Sequence, residues 1–144
     1  MASLEGSVDI RATPAEILVV IADVSAYPQW SVVHKWATVD STFADGRPQR
    51  VTMGVSAAGL TDTQVLDYTW SDDGVSWSMA SPTVQQKAQR GSYSIAADGE
   101  ICHVQCELHV DPAIPLPGII IRQIMKKAMV AGTDGLKRRV ESRR

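Results

Sequence analysis

The chain has 144 residues, of which 44% are hydrophobic and 21% are charged, and its formal net charge is -2 at pH 7. This balance predicts one globular domain over residues 1–144 and excludes a disordered chain and a strongly basic nucleic-acid-binding protein. Residues 1–7 carry no signal-peptide pattern, and no apolar run approaches the ~20 residues that span a bilayer. We therefore expect a cytoplasmic protein without stable membrane insertion.

The first predicted elements are a strand and two short helices. Apolar and polar residues alternate from residue 4 to residue 10, which indicates a half-buried strand. Thr13 and Glu16 form a capping-box pattern around Pro14, so a helix is predicted over residues 14–23. Pro28 disfavours helix at Tyr27 and favours a second short turn.

Six further strands follow, separated by tight turns. They are predicted at residues 35–43, 50–57, 60–70, 75–80, 84–96 and 100–111. Asp-Gly pairs at 45–46, 73–74 and 98–99 are strong hairpin signals between alternating segments. Together with the first strand, these segments predict a seven-stranded antiparallel sheet.

Alternation also assigns one face of this sheet to the interior. That face carries Met53, Val55, Leu66, Tyr68, Trp70, Val75, Trp77, Met79, Cys102, Val104, Cys106, Leu108 and Val110. Tyr93 and Ile95 continue it in the sixth strand. The same register holds the polar residues Gln85, Lys87 and Gln89, so either a bulge flips the register or this end of the strand leaves the core.

Residues 118–144 form the only long helical stretch, with apolar residues at helical spacing and basic residues near its end. Its apolar stripe must pack against the sheet. We expect Leu136 and Val140 to anchor the helix. Between helix and sheet, a solid core and a cavity remain equally open interpretations, because aromatic stripes usually fill cores but buried tyrosines need hydrogen-bond partners.

Two segments carry a resemblance to a known family. Residues 10–16 are similar to its strand followed by a small-Pro-x-Glu helix, and residues 23–30 to its D-x-x-x-Y-P-x-W element. With the strand meander and the long final helix, the chain resembles the START/Bet v 1-like (SRPBCC) superfamily. Within it, the resemblance is to the bacterial polyketide cyclase/dehydrase and lipid-transport family.

The resemblance implies an α+β helix-grip fold. In that fold, a curved seven-stranded antiparallel sheet surrounds a long C-terminal helix, with two short helices after the first strand and a hydrophobic cavity between sheet and helix. Members bind lipids, sterols, polyketides and other apolar molecules, and some catalyse polyketide cyclisation or dehydration.

The expected partner is therefore a hydrophobic small molecule, with no nucleic acid and no cofactor. Tyr68 and Tyr93 are the candidates for catalysis, since a tyrosine hydroxyl can polarise a carbonyl group. Further inward polar candidates are Gln64 and, depending on register, Gln89 or Arg90. The expected ligand contacts are Met53, Val55, Leu66, Tyr68, Trp70, Trp77, Met79, Tyr93, Val104, Ile121, Ile124, Met125 and Ala128.

The cysteines and histidines of the last strand suggest no metal site. Cys102 and Cys106 lie about 13 Å apart along a strand, too far for a disulfide or one ion. His103 and His109 fall on the opposite face. Trp30 is expected to plug one end of the sheet.

The leading hypothesis is binding or carriage of a hydrophobic small molecule such as a lipid or polyketide. One alternative is a cofactor-free polyketide cyclase or dehydratase that uses the cavity tyrosines. Another is a partner-binding domain with a collapsed cavity. The sequence leaves catalysis, ligand identity and oligomeric state open.

Overall fold

The strands are built around the turns that the sequence predicts. In the computed structural model, which describes residues 2–144, they span Ala2–Ile10 (β1), His34–Thr42 (β2), Pro48–Ala57 (β3), Leu60–Ser71 (β4), Gly74–Met79 (β5), Gln86–Asp98 (β6) and Ile101–Pro112 (β7). All neighbours are antiparallel, in the order β1-β7-β6-β5-β4-β3-β2. The predicted seven-stranded antiparallel sheet is confirmed.

The helices also follow the sequence signals. They are Pro14–Ala22 (α1), a 3-10 helix Val24–Gln29, Gly118–Val130 (α2), a π-helical turn Ala131–Gly135 and Leu136–Ser142 (α3). The predicted capping box starts α1, because the Glu16 amide donates to Thr13 Oγ1 at 3.2 Å and the Thr13 amide donates to Glu16 Oε1 at 3.1 Å. Two short helices therefore follow β1, as predicted.

The last helical region differs from a regular α-helix at the π-helical turn. Both glycines of this turn are in close contact with other elements. A Cβ on Gly135 would lie 2.8 Å from the Trp30 carbonyl oxygen, and one on Gly132 would lie 2.8 Å from the Tyr93 hydroxyl. The chain accommodates these contacts with an extra residue in one turn, an arrangement that occurs as single turns inside longer helices.

In β6, the structure decides between the two predicted arrangements. Its pairing with β7 shifts register between Gln86 and Ala88, which is a bulge. Lys87, the residue at the bulge, is exposed, whereas Gln86 just before it lines the same interior as Gln89. The polar end of β6 therefore stays at the interior instead of leaving it.

The long helical region, from α2 to α3, packs across one face of the sheet. α3 packs against α1 and β1, and the predicted anchors Leu136 and Val140 are almost fully buried there. α2 contacts β1, β7 and β3, with Met129 packed over the Cα of Gly6. Cys102 and Cys106 are buried and not bonded to each other. No helix within residues 2–144 is long and apolar enough to cross a membrane.

Candidate functional site

The space between α2 and the curved sheet is not completely filled. A cavity of about 190 Å³ lies there, bounded by β3, β4, β6, β7, α2 and the segment that follows α1. Most of its wall is apolar. Many of the expected ligand contacts line it, namely Met53, Val55, Leu66, Tyr68, Trp77, Tyr93, Ile121, Ile124, Met125 and Ala128. Alternation and helical spacing together therefore identified the two opposing walls.

Three expected contacts lie outside this cavity. The Trp70 indole donates through Nε1 to the Pro48 carbonyl oxygen at 2.7 Å, and the Arg47 guanidinium lies over its ring. Val104 is buried in the core, and Met79 pairs with Leu66 at the end of β5. Alternation gives the face on which a side chain lies, but not whether the helix passes above it. These three residues consequently share the inner face without reaching the cavity.

The two candidate tyrosines occupy different environments on the cavity wall. The Tyr93 hydroxyl donates to the Gly132 carbonyl oxygen at 2.8 Å, so its proton is held by the π-helical turn. Tyr68 lies beside the Tyr27 hydroxyl, which donates to the Ile21 carbonyl oxygen. Burial raises the pKa of Tyr68 to about 12 and raises that of Tyr93 well above its usual range. Both tyrosines are therefore neutral at pH 7.

Trp30 and Tyr27 close the end of the cavity nearest α1. Their rings meet edge to face with centroids 5.2 Å apart, and both line the cavity. The expected plug is therefore also part of the wall. Trp30 Nε1 is buried and has no hydrogen-bond partner within the described part of the chain.

His34 is a wall residue that the sequence analysis did not identify. Its Nδ1 hydrogen-bonds to Ser31 Oγ at 2.7 Å, and its ring meets Tyr27 edge to face. Burial lowers the pKa of His34 to about 4, so its imidazole is neutral at pH 7. His34 is the first residue of β2, and no alternating pattern precedes it. Hydrophobic periodicity therefore could not show that its side chain lies on the inner face of the sheet.

A group of polar side chains, the acceptor rim, lies where the start of β4 meets the start of β6 and the residue before it. It comprises Asp62, Gln64, Gln85, Gln86 and Gln89, all on the cavity wall. Asp62 Oδ2 accepts from the Thr83 hydroxyl, and Gln85 Nε2 donates to the Thr61 carbonyl oxygen at 3.2 Å.

Two glutamines of the acceptor rim are confined by the protein around them. Gln64 is only 3% exposed. Gln85 Oε1 is buried and has no hydrogen-bond partner among residues 2–144. A buried acceptor without a donor is costly, so this end of the cavity is suited to a polar group of a bound molecule.

The remaining titratable groups limit the chemistry available here. Cys106 lies on the wall, but burial raises its pKa to about 12, so it is a thiol and a weak nucleophile at neutral pH. Ser31 bonds His34 without lining the cavity. Within residues 2–144, no group of three or more His, Cys, Asp or Glu side chains is arranged to hold a metal ion.

Comparison with known proteins agrees with this geometry. The sequence profile of a family described as "Polyketide cyclase / dehydrase and lipid transport" matches residues 1–141. No curated protein matches the chain.

Solved structures share the fold at low sequence identity. A START superfamily protein from Mycobacterium smegmatis has a TM-score of 0.88 at 21% identity, covering 99% of both chains. The ZhuI aromatase/cyclase from a Streptomyces species has a TM-score of 0.86 at 13% identity, covering 99% of this chain and 94% of its own. A protein from Thermus thermophilus has a TM-score of 0.81 at 18% identity, covering 98% of both chains. The START-like helix-grip fold is thereby confirmed.

Proposed function

The chain belongs to the polyketide cyclase / dehydrase and lipid transport family, and from this premise we propose that it binds and carries a hydrophobic small molecule in the cavity between sheet and α2. The observation that supports the proposal is the cavity itself, a space of about 190 Å³ that the side chains leave open within the core. Apolar wall surface that faces this space is exposed to water, which is unfavourable. A bound apolar molecule would remove that surface from water.

The proposal takes residues 1–144 as one binding domain. The wall residues come from β-strands and helices along most of the chain, so no smaller part contains the whole pocket. Met53, Met125 and Met129 contribute flexible side chains to the wall, which suits apolar ligands of variable shape.

A size-increasing variant tests the proposal directly. Ala128 lies on the cavity wall in α2, so Ala128→Phe places a phenyl ring in the space that the ligand needs. Val130, in the same helix, is 47% exposed, so Val130→Phe adds a ring outside the cavity. We expect the Ala128 variant to lose binding of a neutral apolar dye such as Nile red, whereas the Val130 control keeps it.

Mass spectrometry of the purified protein provides a second measurement. Organic extraction should release one defined apolar class from wild type and the Val130→Phe control, and much less from Ala128→Phe. Equal amounts from all three proteins would contradict binding in this cavity.

One observation favours a second candidate function. Tyr68 lines the cavity, and its hydroxyl adjoins that of Tyr27 but, unlike the hydroxyl of Tyr93, makes no hydrogen bond to the described backbone. It is therefore the wall tyrosine best placed to donate to a substrate carbonyl in a cyclisation or dehydration. If the protein is such an enzyme, Tyr68→Phe should abolish turnover of a poly-β-ketone analogue and keep its binding. Equal turnover in Tyr68→Phe and wild type would reject this role.

A further inference from the structure

The polar residues of the cavity wall are mostly uncharged, and the charge that is present is negative. Among the described residues that line it there is no lysine and no arginine, and Asp62 is the only acidic one. From this composition we infer that the ligand is an uncharged apolar molecule whose polar end is a hydrogen-bond donor, a hydroxyl or an N–H group, held at the acceptor rim. This inference rests on the proposed binding function, and it excludes an anion such as a fatty carboxylate.

The first observation behind this inference is that two acceptor side chains on the cavity wall have hydrogen-bonding capacity that the protein does not use. Gln85 is fixed through Nε2, which donates to the Thr61 carbonyl oxygen, whereas its Oε1 has no partner in the described part of the chain. The neighbouring carboxylate of Asp62 has its Oδ2 bonded to Thr83, and a carboxylate accepts more than one hydrogen bond. Both groups lie on the cavity wall. A ligand hydroxyl or N–H there would supply the missing donor.

The second observation is that strand pairing places two polar wall residues, His34 and Asp62, in one row across β3. His34 pairs with Val55 in β3, and Val55 pairs with Asp62 in β4. His34 is neutral at pH 7, so it brings no positive charge to offset the negative charge of Asp62. Gln64 follows two residues after Asp62 and lies on the same wall. The row therefore has hydrogen-bonding capacity and a net negative charge.

The third argument is that the site does not compensate the charge of an anionic ligand. A carboxylate that leaves water needs a cation or several N–H donors, and it is repelled by a like charge. The donors of the residues that line the described cavity are neutral: the side-chain amides of Gln64, Gln86 and Gln89, and the buried, unpartnered Nε1–H of Trp30. They suit the oxygen of a hydroxyl group, which both donates and accepts, but they bring no positive charge to neutralise a carboxylate beside Asp62. An alcohol thus satisfies groups of both kinds.

Three ligands with the same bicyclic skeleton test this inference on the wild-type protein. They are 2-naphthol, which donates and accepts, 2-methoxynaphthalene, which only accepts, and 2-naphthoate, which is an anion. By isothermal titration calorimetry at pH 7.5, we expect 2-naphthol to bind most tightly. Naphthoate should bind about tenfold or more weakly, because its charge is not compensated. The methoxy compound should lie between them.

A charge-matched pair of variants locates the effect. Asp62→Asn removes the acidic group from the wall, whereas Asp72→Asn removes one from the exposed turn after β4. We expect Asp62→Asn to reduce the preference for naphthol over naphthoate by about tenfold, which is 1.4 kcal/mol. Asp72→Asn should leave the preference unchanged. Melting temperatures by circular dichroism establish that both variants are folded.

The possible outcomes distinguish a failure of this inference about the ligand from a failure of the proposed binding function. Equal binding of all three ligands, or tighter binding of naphthoate, would overturn the inference and leave the binding function standing. A preference that Asp62→Asn and Asp72→Asn change alike would also overturn it. If none of the three ligands binds and Nile red does not bind either, the proposed function fails and the inference fails with it.

Discussion

At the scale of single residues, His34 shows how burial changes chemistry. An unperturbed histidine titrates near pH 6.5. Here the imidazole lies on a cavity wall between Tyr27 and Ser31, and burial lowers its pKa to about 4. The neutral form is favoured because little water remains to solvate a charge. The folded protein therefore binds a proton at this site less readily than the unfolded chain.

This difference predicts a loss of stability in acid. Because the folded pKa is below the unfolded value of about 6.5, the unfolded state binds more protons between pH 6.5 and pH 4. The free energy of unfolding should fall by about 3 kcal/mol across this window as the pH decreases. In urea unfolding, His34→Phe should remove most of that decrease. An unchanged pH profile in the variant would contradict the assignment.

His103 supplies a control of opposite sign. It is exposed on the outer face, and hydrogen bonds to Asp9 and Asp98 raise its pKa above the ordinary value. Its stabilising contribution is complete below the unfolded pKa and is lost as the pH rises through the folded pKa. His103→Gln should therefore leave the loss between pH 6.5 and pH 4 in place. Any change that it makes should appear as a smaller decrease in stability above the unfolded pKa.

At the scale of elements, the π-helical turn Ala131–Gly135 determines how the last helix fits the rest of the fold. It places Gly135 against the Trp30 carbonyl and presents the Gly132 carbonyl to Tyr93. Thr133 also donates from Oγ1 to the Met129 carbonyl oxygen at 2.8 Å. The turn is thus held by contacts with the sheet and the α1 side together.

Two glycine substitutions distinguish this packing from helix propensity. Gly135→Ala puts a methyl group 2.8 Å from a backbone oxygen, which cannot move aside as a side chain can. We expect a loss of about 2 kcal/mol in the free energy of unfolding, because overpacking exceeds the propensity gain of alanine. Gly118→Ala, at the start of α2, meets no described atom within 4 Å and should be neutral or stabilising. Chemical denaturation measures both, and equal effects would reject the packing argument.

At the scale of the whole molecule, the cavity links ligand binding to stability. A molecule that occupies the cavity of the folded state alone raises the free energy of unfolding, by about 2.7 kcal/mol at a hundred times its Kd. For the naphthol ligand this predicts a concentration-dependent rise in melting temperature. Ala128→Phe should melt at a temperature that the ligand does not change. A rise of equal size in that variant would place the ligand elsewhere.

The cavity wall shows which residues of a binding site can be predicted from the sequence. Tyr68, Trp77 and Tyr93 were assigned to the inner face by alternation, and Ile124 and Met125 by helical spacing; all five line the cavity. Their positions follow from local periodicity, which every residue of a strand or helix obeys. The acceptor rim was only partly visible in the sequence: Gln64, Gln85 and Gln89 were placed in an inward register, whereas Asp62 and Gln86 were not identified.

The sequence by itself determined the elements, their order and the faces that they bury. Capping, turn and periodicity signals are local, and together with the family resemblance they were sufficient for the helix-grip fold. Only the tertiary structure decided which part of the inner face stays uncovered. That depends on where α2 crosses the sheet, on the bulge at Gln86 and on the loop that brings Gln85 beside β4. All three features depend on contacts between segments that are remote in sequence, and no local sequence pattern predicts such contacts.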